Sequence, residues 1–150
     1  MRAVAAIFLL PLVTLPVVTL PARATLGQPR DSVQSDQRLL QGRLSTVEAQ
    51  GYTIHQITRD DGGILKEFVS PDGKVFGIAW QGPTMPNLAQ LLGPHFAAFQ
   101  QAAKSAHRRG PLAVHVGQLV VETSGHLRSF RVRAYLINLL PRDVSPEVVQ

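Results

Sequence analysis

The 150-residue chain contains no cysteine. That excludes disulfides, thiolate zinc centres, iron–sulfur clusters, cysteine nucleophiles and lipid attachment through cysteine. Aromatic residues make up only 6% of the sequence, with a single tryptophan, and acids are outnumbered 10 to 15 by Lys and Arg. Catalytic signatures are equally scarce. There is no G-x-S-x-G elbow, S-x-x-K pair, phosphate-binding loop, dinucleotide fingerprint or HExxH. What is present is a 45% hydrophobic, 17% charged composition, which suits a globular chain and not a disordered one. The length fits one domain.

The longest apolar run stands at the N-terminus. Arg2 supplies a positive start, Ala3 to Leu20 is uncharged and apolar, Pro21 breaks it, and Ala22-Arg23-Ala24 has the small-x-small pattern of a signal-peptidase site. Residues 1–24 therefore read as a secretory signal cleaved near Ala24, and Pro11 and Pro16 inside the run argue against a membrane anchor. A periplasmic or secreted location follows as the expectation. Cleavage removes Arg2 and Arg23, leaving 13 basic residues against the 10 acids, a net +3. The sequence pI of 10.4 overstates that excess, because 12 of the 15 basic residues are Arg. No nucleic-acid partner is expected for an exported chain.

Along residues 25–150 the pattern predicts a single α+β domain: an antiparallel sheet, built as a three-stranded meander plus a C-terminal hairpin, with helices packed on one face. Val33, Leu39, Leu40, Leu44 and Val47 suit an amphipathic helix within Thr25–Gln50, with Ser45–Glu48 a turn or strand start near its end. Tyr52–Arg59, Ile64–Ser70 and Lys74–Gln81 alternate with period two, separated by Asp60-Asp61-Gly62-Gly63 and Pro71-Asp72-Gly73. The alternation places Ile64, Lys66 and Phe68 together, and Phe76, Ile78 and Trp80 together. Asn87 caps a short helix through Leu92, and Pro94 opens a second piece whose C-terminal turn gathers Lys104, His107, Arg108 and Arg109. Leu112–Thr123 and Leu127–Leu136 form the hairpin, whose register the sequence leaves open; one register, with Ser124–His126 as the loop, sets Glu122 opposite Arg128. Residues 141 to 150, with two prolines, look like a loose or edge-covering tail.

Several segments resemble a known family. They are Leu26-Gly27, the run Glu67 to Phe76, Ala79-Trp80-Gln81-Gly82-Pro83, Leu91-Leu92-Gly93, Val120-Val121, Gly125-His126, and Arg133 to Leu136 ending at Leu140-Pro141. They are similar to the uncharacterised proteobacterial family Domain of Unknown Function 2844, over nearly the whole chain beyond the signal and most specifically over Glu67–Pro83. The resemblance implies export and one small domain. It implies no activity, substrate or catalytic residue.

The candidate binding surface consists of Trp80 and Met85 beside Gly82-Pro83 and Pro86, and of an arginine stripe, Arg128, Arg131 and Arg133. An aromatic rim suits an extended peptide or a sugar, although a large aromatic at strand spacing also suits the core. The stripe suits an anionic ligand, lipid head groups or an acidic partner. Metal binding requires His55, His115 and His126 to converge, and paired-carboxylate chemistry requires Glu67 and Asp72 to approach. No cofactor is expected. The reading that follows is an exported, non-catalytic binding or accessory protein of the cell envelope, with an envelope or secretion-system partner. The alternatives are a small periplasmic hydrolase or metal-dependent enzyme, and a membrane-surface or anionic-ligand protein using the arginine stripe.

Overall fold

The computed structural model describes residues 26–106 and 110–150. The expected signal, residues 1–24 with its cleavage point at Ala24, lies outside them, as do His107, Arg108 and Arg109 of the basic helix end.

The first helix, α1 (Ser32–Leu40), is shorter than its hydrophobic pattern predicts. Gln41 adopts left-handed φ 51° and ψ 36°, and its N–H bonds back to the Arg38 carbonyl, which closes the last turn. Gly42 follows where a Cβ would lie 2.5 Å from the Ile57 side chain, so the chain hugs the sheet there. From that point the β-branched pair Thr46-Val47 belongs to an edge strand, β1 (Arg43–Ala49), and not to the end of the helix. A two-residue turn joins it to β2 (Tyr52–Thr58), and β3 (Ile64–Val69) and β4 (Val75–Gly82) complete the meander. The meander therefore has four strands, one more than expected.

The C-terminal hairpin is likewise a three-stranded unit. Gly117, at φ +59°, turns the chain inside the run expected to be continuous, splitting it into β5 (Leu112–Val116) and β6 (Leu119–His126). Strand β6 runs through Ser124, Gly125 and His126, and the reversal falls at Leu127-Arg128 before β7 (Ser129–Leu136). Arg128, at φ +66°, sits in that turn, and Glu122 faces Arg133 instead of Arg128. All seven strands form one antiparallel sheet in the order β1-β2-β3-β4-β7-β6-β5. An α+β architecture with helices on one face is what the chain adopts.

Helices α1, α2 (Leu88–Leu92) and α3 (Phe96–Ser105) cover one side, where Ile57, Leu65, Ile78, Trp80, Val121, Val132 and Ala134 are buried. A 3-10 turn at Gly93–His95, carrying Pro94, links α2 to α3. Asn87 caps α2 as expected, its side chain accepting from the Gln90 N–H. Asn87→Ala is expected to lower stability by about 1 kcal/mol, read as a shift in the urea midpoint.

The opposite side carries a second cluster: Phe68 packs tilted and Phe76 edge-on against Tyr52, their centroids about 6 Å apart, and Val149 joins them. Phe76 was expected to share a face with Ile78 and Trp80. It does not, because Phe68 pairs with Gly77 while Val69 pairs with Val75, leaving Phe76 as the extra residue of a β-bulge. The tail is not loose either. Val149 is fully buried against Gly77, where a Cβ would approach to 2.7 Å, so residues 141–150 strap this face.

Candidate binding groove

Strand pairing alone assembles a site on the strap face. Lys66 of β3 pairs with Ala79 of β4, Ala79 pairs with Arg133 of β7, and Arg133 pairs with Glu122 of β6, so these four stand in one row across the sheet. Ile64, Gln81, Arg131 and Ser124 form the adjacent row, two residues along. Side chains two apart on a strand share a face, so both rows project to the same side. At the usual strand spacing the Cα atoms of Lys66 and Arg133 stand about 10 Å apart, with only the methyl group of Ala79 between them. The result is a groove of about 490 Å³ floored by Ala79 and walled by long polar side chains.

Its charges are unequally engaged. Arg133 Nη1 pairs with Glu122 Oε2 at 3.2 Å, Nη2 donates to the Pro146 carbonyl at 2.6 Å, and the guanidinium lies 5.2 Å from the Tyr135 ring centroid. Its Nε is buried without an acceptor. Lys66 Nζ donates to the main-chain oxygen of Gln150 at 3.0 Å. Arg131 is exposed and forms no ion pair among the described residues. Three cationic side chains thus share one floor with a single acidic side chain, already bound to one of them, and Lys66 is held by the main-chain oxygen of Gln150.

The other sequence candidates separate. Trp80 is 3% exposed and belongs to the helix-side core. Its ring rests against Gly63 and Gly82, its Nε1 donates to the Thr84 carbonyl at 2.9 Å, and it lines the groove only from beneath. The aromatic-rim reading therefore gives way to the core reading. Met85, 44% exposed, lies with Pro86 and Gln90 at a cleft of about 130 Å³ that Trp80 also borders. Arg128 is held away in the β6–β7 turn and does not line the groove. His55 on β2 and His115 on edge strand β5 lie toward opposite margins of the sheet, so the convergence that a three-histidine metal site requires does not occur. Among the described residues no cluster of three His, Asp or Glu fits a metal ion.

Glu67 does find a carboxylate partner, but not Asp72. Asp72 stays in the β3–β4 turn, where the Ser70 hydroxyl donates to it. Glu67 instead hydrogen-bonds Asp36 of α1. The two are 1% and 0% exposed, and Gln90 Nε2 donates to Asp36 Oδ1 at 3.1 Å. Burial foremost, then the Asp36 charge and hydrogen bond, push the Glu67 carboxyl up to about 9, keeping it protonated at neutral pH. His55, the cross-strand neighbour of Glu67, contacts Thr46 Oγ1 through Nδ1 at 2.9 Å. Burial, and then the Arg30 charge, hold His55 below its ordinary value against the opposing pull of Glu48. This acid pair ties α1 to the sheet, sealed from substrate.

No motif singles out Lys66 or Ala79 in the sequence. Alternation puts Lys66 on this face beside Ile64 and Phe68, but only the strand order shows that Arg133 stands two strands away.

The family described as "Protein of unknown function (DUF2844)" matches residues 22–149. This chain belongs to the DUF2844 family. No curated protein matches it, and no solved structure matches it. In this DUF2844 chain both halves of the groove, Lys66–Gln81 and Glu122–Arg133, fall within the matched span.

Proposed function

We propose that this protein is exported and serves the cell envelope as a binding or accessory protein without catalytic chemistry, using the strap-face groove. The observation that carries this reading is the groove itself: an open concavity on rigid, fully paired strands, lined by Lys66, Arg131 and Arg133. Ligand sites are commonly concave, largely preformed and equipped with a few convergent polar groups. The Asp36–Glu67 pair does not serve hydrolysis, since both carboxyls are buried and no substrate reaches them. The arginine stripe does not present a flat basic face, because Arg133 is folded onto Glu122 and the strap. That arrangement supports a bound molecule over a membrane surface. The apolar segment ending at Ala24 supports export.

The reading is tested on chain recovered from its own cells. Intact mass spectrometry is expected to show loss of residues 1–24 and recovery outside the cytoplasm. Native mass spectrometry is expected to show an adduct on the wild type that Ala79→Val, which fills the groove floor, does not carry. A full-length cytoplasmic chain, or identical spectra for the two forms, refutes it.

A further inference from the structure

The charge and shape of the groove specify its ligand more narrowly than a binding role requires. We propose that it takes a small molecule bearing an oxyanion, a carboxylate or a phosphate monoester, seated over Ala79 between Lys66 and Arg131 with Arg133 behind; this rests on the groove being a binding site.

Four observations converge on that chemistry. The floor is small where the walls are long: β4 offers Gly77, Ala79 and Gln81 to this face, Val149 fills the space over Gly77, and Ala79, 6% exposed, touches the groove with its methyl group alone. The walls are cationic, and Glu122, the one acidic side chain lining the groove, is already engaged by Arg133. Cations held around one floor repel each other, and an anion between them relieves that repulsion. Lys66 and Arg133 already donate to oxygen acceptors here, the main-chain oxygens of Gln150 and Pro146 on the strap. A charged acceptor is the strongest partner for such donors. The rest of the lining fits the remainder of a small ligand: Gln81 and Ser124 suit hydroxyl groups, and Ile64 suits a short hydrocarbon stem. A volume of about 490 Å³ admits a metabolite-sized molecule.

The test uses the full cleaved chain, with amide resonances of Ala79, Gln81, Arg131 and Ser124 followed by NMR. Inorganic phosphate, succinate and neutral maltose are titrated separately at fixed ionic strength. Saturable shifts at these four residues with phosphate or succinate are expected, and the stronger of the two identifies the anion source. Lys66→Ala and Arg131→Ala are each expected to weaken that binding about tenfold or more. Arg142→Ala removes an equal charge outside the groove and is expected to leave it unchanged. Ala79→Val keeps every charge and is expected to abolish it. Shifts with maltose alone overturn the oxyanion assignment while leaving the groove as a binding site. No shift with any probe overturns both. Binding that survives Ala79→Val, or that falls equally in Arg142→Ala, is general attraction to a basic protein and also overturns the proposal.

Discussion

Between pH 6.5 and pH 9 the protein is expected to lose stability continuously, and Glu67→Gln to remove most of that slope. Glu67 has an ordinary value of 4.5 and is raised to about 9 in the fold, chiefly by burial and then by Asp36. A group that holds its proton more tightly when folded stabilises fully below its unfolded value, and that stabilisation disappears as pH climbs through the folded one. His55 works in the other direction. Its folded value lies below 6.5, so its contribution is present above 6.5 and is lost on acidification. The two effects oppose each other between 4.5 and 6.5, which makes the alkaline range the clean window. Urea midpoints at pH 6.5, 7.5 and 8.5 measure it, with an expected loss of a few kcal/mol across the span. Glutamine keeps the shape of the neutral acid and still hydrogen-bonds Asp36, so above pH 8 the variant should be more stable than the wild type. A variant as steep as the wild type would show that Glu67 does not carry the proton.

Phe76→Ala is expected to cost about 3–5 kcal/mol, the range for deleting a buried phenyl ring. The ring has no exposed surface, packs edge-on to Tyr52 and touches Phe68, and its position depends on the bulge. Val149→Ala should cost about 2 kcal/mol, since it removes two buried methyl groups from the strap. Both belong to one cluster, so the double variant should fall short of the sum. Thermal melts of the three variants decide the point. A cost below about 1 kcal/mol for Phe76→Ala, with the strap still resistant to limited proteolysis, would mean that the strap face is not a true core.

The architecture was legible where a local pattern coincides with a local cause. The Asp60–Gly63 and Pro71–Gly73 reversals, the Asn87 cap and the alternation of β2 and β3 follow from neighbouring residues alone, and each stands where expected. Expectations failed where a distant contact decides. The α1 pattern continues through Leu44 and Val47, but β1 forms because β2 offers an edge to pair with. Gly117 is one glycine in a β-rich run, and only strand order reveals it as a reversal. The Phe76 bulge obeys no periodicity. The groove behaves in the same way: Arg131 and Arg133 share a face by simple alternation, but Lys66 joins them only because β4 and β7 are neighbours.

The pairing of β4 with β3 and β7 makes the length of Gly77–Gln81 as strict a constraint as its composition. One residue gained or lost there would exchange the two faces of the strand. Ile78 or Trp80 would then stand where Ala79 stands, and a bulky side chain would plug the floor while the core opposite lost its filling. An insertion in the Pro71–Lys74 turn carries no such penalty, because the strand beyond it keeps its frame. Natural variation in chain length should therefore collect in that turn and be absent from the five residues after the bulge.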